Sequence, residues 1–155
     1  MSEAYDFLSP TDKPALFAIS TPEWFSMAQA AITELGYKVH AVTTHDEFPS
    51  RFSQAQYQIV MVEEIFGGTL PAENTTLHYL QRLPMNQRRH AVICLLSDAY
   101  ETLNPLQAFQ QSVHAVINYS EMALLGQLIQ KVVADNNSFL NIFRETQQRI
   151  AQGKT

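Results

Sequence analysis

The stretch 58–68, QIVMVEEIFGG, joins an apolar run to two carboxylates and then to two glycines. Four consecutive apolar residues with no polar alternation are typical of a strand buried on both faces of a parallel sheet. The acids Glu63 and Glu64 follow this run directly. The stretch therefore predicts a central strand that ends in an acid pair, and the rest of the chain decides whether that pair does chemistry.

Short apolar runs recur along the chain, and five of them have the length of strands. The run at 38–42 alternates apolar and polar residues, which favours an edge position. The five runs are 15–19 (ALFAI), 38–42 (KVHAV), 58–62 (QIVMV), 91–96 (AVICLL) and 114–118 (HAVIN).

Helical patterns with their own start signals separate these runs. Thr21 is expected to cap the first helix, with Pro22 at its first position and Gly36 just past its end. The second pattern starts near Thr44 and is expected to be interrupted at Pro49. The other three patterns are 74–84 (NTTLHYLQRLP), 103–112 (LNPLQAFQQS, with Asn104 as cap) and 119–133 (YSEMALLGQLIQKVV, with Ser120 as cap).

Five alternations of strand and helix predict an α/β fold with parallel strands joined by right-handed crossovers. The expected architecture is a flavodoxin-like, doubly wound five-stranded sheet of order 2-1-3-4-5 with an extended C-terminal helix. In this fold, ligands lie at the carboxyl ends of strands 1 and 3. We expect a polar leader over 1–13, the folded domain over 14–135 and a helical extension over 136–155.

Composition limits the class of protein. The chain has 155 residues, 46% hydrophobic and 16% charged, which is ordinary for a globular domain. A net charge of −5 argues against a nucleic-acid surface. The single cysteine, Cys94, lies in an apolar run and is expected to be a buried small hydrophobe. Because neither a signal peptide nor a membrane-length apolar run is visible, we expect a soluble cytoplasmic protein without membrane association.

Three local signatures carry a resemblance to a known family. They are STPE at 20–23, QIVMVE at 58–63 and HAVINYSE at 114–121. With the order of elements, they make residues 13–135 resemble the response-regulator receiver domain. The resemblance implies an acidic pair after strand 1 and a phosphate-accepting Asp after strand 3. It also implies a hydroxyl after strand 4 and a Lys after strand 5, the groups that hold Mg²⁺ and stabilise the transferring phosphoryl group.

Most of these roles fall on residues that cannot perform them. The acidic pair falls on Ile19 and Ser20, or on Ser20 and Thr21, and the Lys falls on Tyr119. The acceptor falls on Glu63, whose extra methylene misplaces the attacking oxygen by about 1 Å, a positioning error worth ~10²-fold.

The remaining roles are carried over in the same way. The hydroxyl falls on Ser97, or on Leu96, and the aromatic switch position falls on Val116. Glu64 is expected to be a solvated loop carboxylate. The chain thus resembles a degenerate receiver, a pseudo-receiver, with no expected metal or cofactor. Its vestigial pocket comprises Ser20, Thr21, Glu63, Glu64, Ser97 and Tyr119.

The first functional hypothesis is a non-catalytic module for protein–protein interaction in bacterial-type signal transduction, with other signalling proteins as partners. The resemblance implies a partner-binding face of Leu106, Phe109, Val116, Met122 and Leu125. One alternative is a receiver that accepts phosphate or binds Mg²⁺ through Glu63 and Glu64. Another is a flavodoxin-like small-ligand binder that uses the crevice between Ser20 and Gly67.

The C-terminal stretch shows spacings of four and three residues, which are typical of a coiled-coil seam. A seam of this kind favours a homodimer or a link to other subunits. Alternatively, the stretch DNNS at 135–138 ends one helix and Ser138 caps a separate one. The seam comprises Leu125, Ile129, Val132, Asn136, Phe139, Phe143, Thr146 and Ile150.

Overall fold

The computed structural model describes residues 12–68, 70–88 and 90–153. Strands and helices alternate along this part of the chain. In order they are β1 (Lys13–Ala18), α1 (Pro22–Glu34), β2 (Tyr37–Ala41), α2 (Glu47–Ser53), β3 (Ile59–Glu63), α3 (Thr75–Gln81), α4 (Met85–Arg88), β4 (Val92–Ser97), α5 (Pro105–Gln110), β5 (Ala115–Asn118) and α6 (Leu125–Ala151). Short 3₁₀ segments lie at Phe66–Gly68, Pro71–Glu73 and Tyr119–Leu124.

The five strands form one sheet in the order β2-β1-β3-β4-β5, and every pairing is parallel. The predicted fold is therefore confirmed, and β2 lies at an edge as its alternating pattern indicated. Each strand lies within about two residues of its predicted run because apolar runs between turn signals define strands well. In β3, Glu63 pairs with Leu96 of β4, so both residues lie at the carboxyl edge of the sheet.

Two apolar clusters cover the two faces of the sheet. On one face, α1 contributes Ala28 and Ile32, and α6 contributes Ile129, Val132 and Leu125. On the other face, the contributions are Phe48 from α2, Leu77 and Leu80 from α3, and Ala108 from α5. Strands covered on both sides explain the nearly continuous apolar runs of β1, β3 and β4. Cys94 lies in the first cluster, and its burial raises the pKa of its thiol to about 12.

Two helix boundaries differ from the prediction. Pro49 lies inside the first turn of α2 and does not interrupt it, because the first turn needs no backbone N–H from that position. Ser120 does not cap the last helix. Instead, its N–H donates to Asn118 Oδ1, and a 3₁₀ segment precedes the start of α6 at Leu125.

The C-terminal helix α6 is continuous over 27 residues, about 40 Å. The alternative with a break at 135–138 is therefore wrong. Lys13, assigned to the leader from sequence, begins β1, while residues 1–11 of that leader lie outside the described residues. Within the described ranges, no helix combines the length and apolar character needed to cross a bilayer.

His114, directly before β5, is held as a neutral ring between two strands. Its Nδ1 accepts a hydrogen bond from the Ile93 N–H at 3.0 Å. Burial, reinforced by the nearby Arg88 charge, lowers the pKa of His114 from 6.5 to about 4. A base whose pKa is lower in the folded state binds fewer protons there than when unfolded, so acid favours unfolding.

Through His114 alone, the free energy of unfolding is expected to fall by about 3 kcal/mol as the pH drops from 6.5 to 4. His114→Asn keeps an acceptor for the Ile93 N–H and removes the titration. Urea denaturation of both proteins from pH 7 to pH 4 measures the difference. Parallel pH profiles for wild type and variant are the result that contradicts this assignment.

Candidate functional site

The carboxyl ends of β1, β3 and β5 bring four of the predicted residues together. Ser20 and Thr21 follow β1, Glu63 ends β3, and Tyr119 follows β5. Neighbouring parallel strands end at the same edge of the sheet, which is why residues so distant in sequence meet there. Glu63 is fully buried at the centre of this group.

Both carboxylate oxygens of Glu63 accept hydrogen bonds from the residues after β1 and β5. Oε1 accepts from the Ser20 N–H at 3.0 Å, the Ser20 hydroxyl at 3.1 Å and the Thr21 N–H at 3.1 Å. Oε2 accepts from the Thr21 hydroxyl at 2.6 Å and the Tyr119 hydroxyl at 2.9 Å. Among the described residues, five donors therefore surround the carboxylate of Glu63. A carboxylate that carries no proton accepts hydrogen bonds and donates none, so it matches this set of donors. We call Ser20, Thr21, Glu63 and Tyr119 the Glu63 network.

Thr21 lies in the predicted pocket, but its hydroxyl does not cap α1 as its sequence position had suggested. It occupies the N-cap position of α1, with Pro22 at the first helical position as expected, but its side chain makes no capping hydrogen bond. The hydroxyl turns to Glu63 instead. Ile19, the other candidate for the acidic-pair position, lies in the apolar cluster. The turn after β1 therefore presents Ser20 and Thr21, two hydroxyls, to the site.

Tyr119 closes the site from the side of β5. Its ring stacks on Trp24 of α1, with centroids 4.9 Å apart and planes inclined by 12°. Burial raises the pKa of Tyr119, and the charge and hydrogen bond of Glu63 raise it further. The hydroxyl therefore stays protonated at neutral pH and remains a donor to Glu63.

Glu64 was expected to be solvated, and that expectation is wrong. The side chain is only 7% exposed, and its Oε1 accepts a hydrogen bond from the Ser97 hydroxyl at 2.8 Å. Burial raises the pKa of Tyr100, and the charge of Glu64 and a hydrogen bond to it raise it further. Ser97 thus lies at the site, as predicted, but serves Glu64, while Leu96 lies in the apolar cluster. The two acids face different partners.

Asn74 is a site residue that the sequence reading did not single out. It is fully buried, and its Nδ2 donates at 3.0 Å to the backbone carbonyls of both Glu63 and Glu64. Its Oδ1 caps α3 by accepting from the Leu77 N–H at 2.9 Å. An asparagine directly before a helical pattern was the available signal, but only the fold brings its amide to the end of β3.

The glycine turn after β3 closes the crevice towards β1. Gly67 has φ +74, and a Cβ there would lie 3.1 Å from the His45 ring. Its N–H donates to the Ser20 hydroxyl at 3.2 Å, so the turn after β1 and the turn after β3 are bridged. This hydrogen bond spans the crevice between Ser20 and Gly67 that the small-ligand alternative would use. Among the described residues, no group of three or more His, Cys, Asp or Glu has the arrangement of a metal site.

Comparison with known proteins identifies the fold. The sequence matches no family profile and no curated protein. A putative response regulator from Chloroflexus aurantiacus superposes with a TM-score of 0.63 at 12% identity, over 80% of this chain and 99% of that one. An orphan response regulator of H. pylori gives 0.58 at 15% identity, over 78% and 96%. The chain has the receiver fold.

A third structure similar to this chain is a fusion protein that contains a yeast trimeric coiled coil. It superposes with a TM-score of 0.62 at 12% identity, over 94% of this chain and 92% of that one. This match covers a larger share of this chain than the matches to the two response regulators do. At these identities, the three comparisons establish the fold and leave the activity to be argued from the site.

The predicted partner-binding face divides into two parts in this receiver fold. Leu106 and Phe109 of α5 are 64% and 80% exposed, so they are available to a partner. Val116, Met122 and Leu125 are at most 3% exposed. Their assignment to a partner surface is wrong, because Val116 lies in the cluster beneath α5 and Met122 and Leu125 lie in the cluster on the opposite face of the sheet.

The predicted seam of α6 divides in the same way. Ile129 and Val132 are buried against the sheet, so they cannot form part of a coiled coil. Asn136 is half-buried at the margin. Beyond it, Phe139, Phe143 and Ile150 are exposed to different degrees and remain candidates for a docking surface.

Proposed function

We propose that this protein is a receiver-fold interaction module of bacterial-type signal transduction that acts in the cytoplasm without phosphorylation at the end of β3. The observation that supports the proposal is the Glu63 network. Among the described residues, Glu63 accepts from Ser20, Thr21 and Tyr119, and the receiver resemblance implies an acidic pair at Ile19 and Ser20 or at Ser20 and Thr21, and a lysine at Tyr119. The pocket is thus built to hold one carboxylate, not to transfer a phosphoryl group.

Phosphoryl transfer needs three things that this arrangement lacks. The attacking oxygen needs free lone pairs, but Oε1 and Oε2 of Glu63 already accept three and two hydrogen bonds. Mg²⁺ needs carboxylate or phosphate oxygens, and Ser20 and Thr21 supply only hydroxyls. The developing charge needs a cation, and Tyr119 supplies a neutral phenol. In this proposal, Glu63 is a permanent negative charge that keeps the domain in one state, and the protein is not an enzyme.

Partner binding in this proposal uses the exposed part of α5. Phe109 lies beside Met85 and Arg88 around a shallow cavity. Leu106, also exposed, lies one turn before Phe109 on α5, and Arg88 adds one positive charge beside Phe109. Large apolar side chains that remain exposed together favour a protein partner, and other signalling proteins are the class that the receiver fold suggests. The extended helix α6 is a second candidate contact, for a homodimer.

Wild-type protein is expected to remain unmodified after incubation with acetyl phosphate and Mg²⁺. Intact-mass spectrometry measures the outcome, with a receiver domain that has a complete acidic pocket as the positive control. Trp24 reports on the site because its ring stacks on Tyr119. Its fluorescence is expected not to change when beryllofluoride and Mg²⁺ are added. A phosphoryl adduct on Glu63 or Glu64 contradicts the proposal and supports the phosphate-accepting alternative.

A further inference from the structure

A cavity of about 350 Å³ lies at the amino ends of β3 and β4, at the opposite edge of the sheet from the Glu63 network. Tyr57, just before β3, and His90, just before β4, both line it, and residues of α2, α3 and α4 complete its walls. Its volume falls within the range of small-molecule pockets, roughly 300–1,000 Å³. The cavity is therefore large enough for a ligand, and none of the residues that line it belongs to the Glu63 network.

Three aromatic side chains line this cavity and hold one another in place. The rings of Phe52 and Tyr57 are stacked, with centroids 6.3 Å apart, and Tyr79 meets Phe52 edge-on at 6.2 Å. Tyr57 is buried, and its hydroxyl is hydrogen-bonded to His40 Nδ1 at 2.7 Å, so this ring is fixed from behind. The fully buried Phe48 contacts both Phe52 and Tyr79. The aromatic wall is thus formed before a ligand binds, and a preformed flat wall favours a flat ligand.

The polar groups of the cavity are carboxamides rather than charges. Gln56, Asn86 and Gln87 line it and are exposed, so they form its rim. Each amide can both donate and accept a hydrogen bond, and the ring of His90 can do either. The described residues that line the cavity include no Lys, Arg, Asp or Glu. The rim therefore offers hydrogen bonds to an uncharged ligand and no opposite charge to a phosphate or a carboxylate.

We propose that this cavity binds a planar, uncharged heterocycle of the nucleobase type. Such rings stack on aromatic side chains, because every base has a π face. Carboxamides pair with the alternating donor and acceptor groups along the edge of a base. An apolar ring would use the aromatic wall but not the amide rim. The cavity lies apart from the end of β3, so this ligand site goes beyond the proposed function.

Titration of adenine into the ¹⁵N-labelled protein, followed by NMR, tests the site directly. The side-chain NH₂ signals of Gln56, Asn86 and Gln87 are expected to shift and to saturate. For a ligand of about ten non-hydrogen atoms, the expected dissociation constant is on the order of 1 mM. Gln54 is exposed but does not line the cavity, so its NH₂ signal is expected to stay in place. The absence of saturable shifts overturns the proposal, as do equal shifts at Gln54.

Variants with a matched control test the two parts of the cavity, with Asn86 as the reporter of binding. The double variant Gln56→Ala, Gln87→Ala removes two exposed amides without disturbing the core, and it is expected to weaken adenine binding about tenfold. Tyr79→Leu removes one ring and is expected to weaken binding at least about fivefold. Gln54→Ala, the control, is expected to bind adenine as wild type does. Unchanged affinity in the double variant overturns the proposal even if Tyr79→Leu does not fold.

Indole distinguishes a nucleobase-type ligand from an apolar occupant of the cavity. Its rings are flat like those of adenine, but a single N–H donor is its only hydrogen-bonding group. Indole is therefore expected to bind more weakly than adenine. Tighter binding of indole overturns the proposal and indicates an aromatic side chain of a partner protein as the occupant. None of these measurements depends on the Glu63 network, so the ligand site and the proposed function can fail separately.

Discussion

Glu63→Leu is expected to lower the free energy of unfolding by about 4 kcal/mol, because it leaves five donors around a buried apolar group without their acceptor. Two of these donors are the backbone N–H groups of Ser20 and Thr21, which cannot turn away. Glu63→Gln is expected to cost less, about 2 kcal/mol, since its oxygen can serve the two N–H groups and the hydroxyls of Thr21 and Tyr119 can rotate to accept. Urea denaturation at pH 7 measures both values.

The control for these variants is Glu23→Gln, which removes a carboxylate in the first turn of α1, close to the site but exposed. Its expected effect is within about 0.5 kcal/mol. The graded order, with Leu costing more than Gln and Gln more than the control, is specific to a carboxylate held by its own hydrogen bonds. If Glu63→Leu unfolds no more easily than the control, the Glu63 network does not stabilise the protein, and the case against phosphorylation loses its basis.

The fold was predictable because its signals are local. An apolar run between turns, such as the one that became β3, identifies a strand whatever its neighbours are. Caps such as Asn104, whose Oδ1 accepts from the Gln107 N–H, identify a helix start in the same way. The order of elements then leaves few topologies, and the position of Glu63 at the carboxyl edge follows.

The contacts of the site were less predictable because they join residues far apart in sequence. Thr21 carried every sign of an N-cap, yet its hydroxyl serves Glu63, 42 positions away. Glu64 followed a strand and preceded glycines, which favours a solvated turn, but the turn folds back and buries it against Ser97. Local patterns identify which residues reach an edge of the sheet, while the choice of partner depends on side-chain direction in the folded state.

The spacing of apolar residues also did not distinguish core residues from residues of a partner-binding surface. Val116 and Met122 share the apolar character of Phe109, and only the structure shows that the first two are covered and the third is 80% exposed. The same holds along α6, where one helical line serves the core at Val132 and the surface at Phe139. Periodicity tells which residues share a face, but not where the covering element ends.

Placing the carboxylates and the lysine that the receiver resemblance implies at this edge of the sheet is expected to create a Mg²⁺ site. In a chain with Ser20→Asp, Glu63→Asp and Tyr119→Lys, two hydroxyl donors are replaced by a carboxylate and an ammonium group. The Glu63→Asp change also shortens the side chain by one methylene, so its carboxylate withdraws from the turn after β1. Ser20 is exposed, so an aspartate there fits without repacking. The edge of the sheet then offers two carboxylates to a cation that is usually held by one or two.

In isothermal titration calorimetry, this triple variant is expected to bind Mg²⁺ with a roughly millimolar dissociation constant, whereas wild type is expected to show no binding. The matched control carries Ser20→Asn, Glu63→Asn and Tyr119→Lys, which keeps the shapes and removes both carboxylates. If the triple variant binds Mg²⁺ and the control does not, this edge of the sheet has the receiver geometry. The side chains at these three positions are then what prevents Mg²⁺ binding in the wild type. If the triple variant and the control respond alike, the Glu63 network is not an altered phosphorylation pocket, and its resemblance to one is limited to position in the fold.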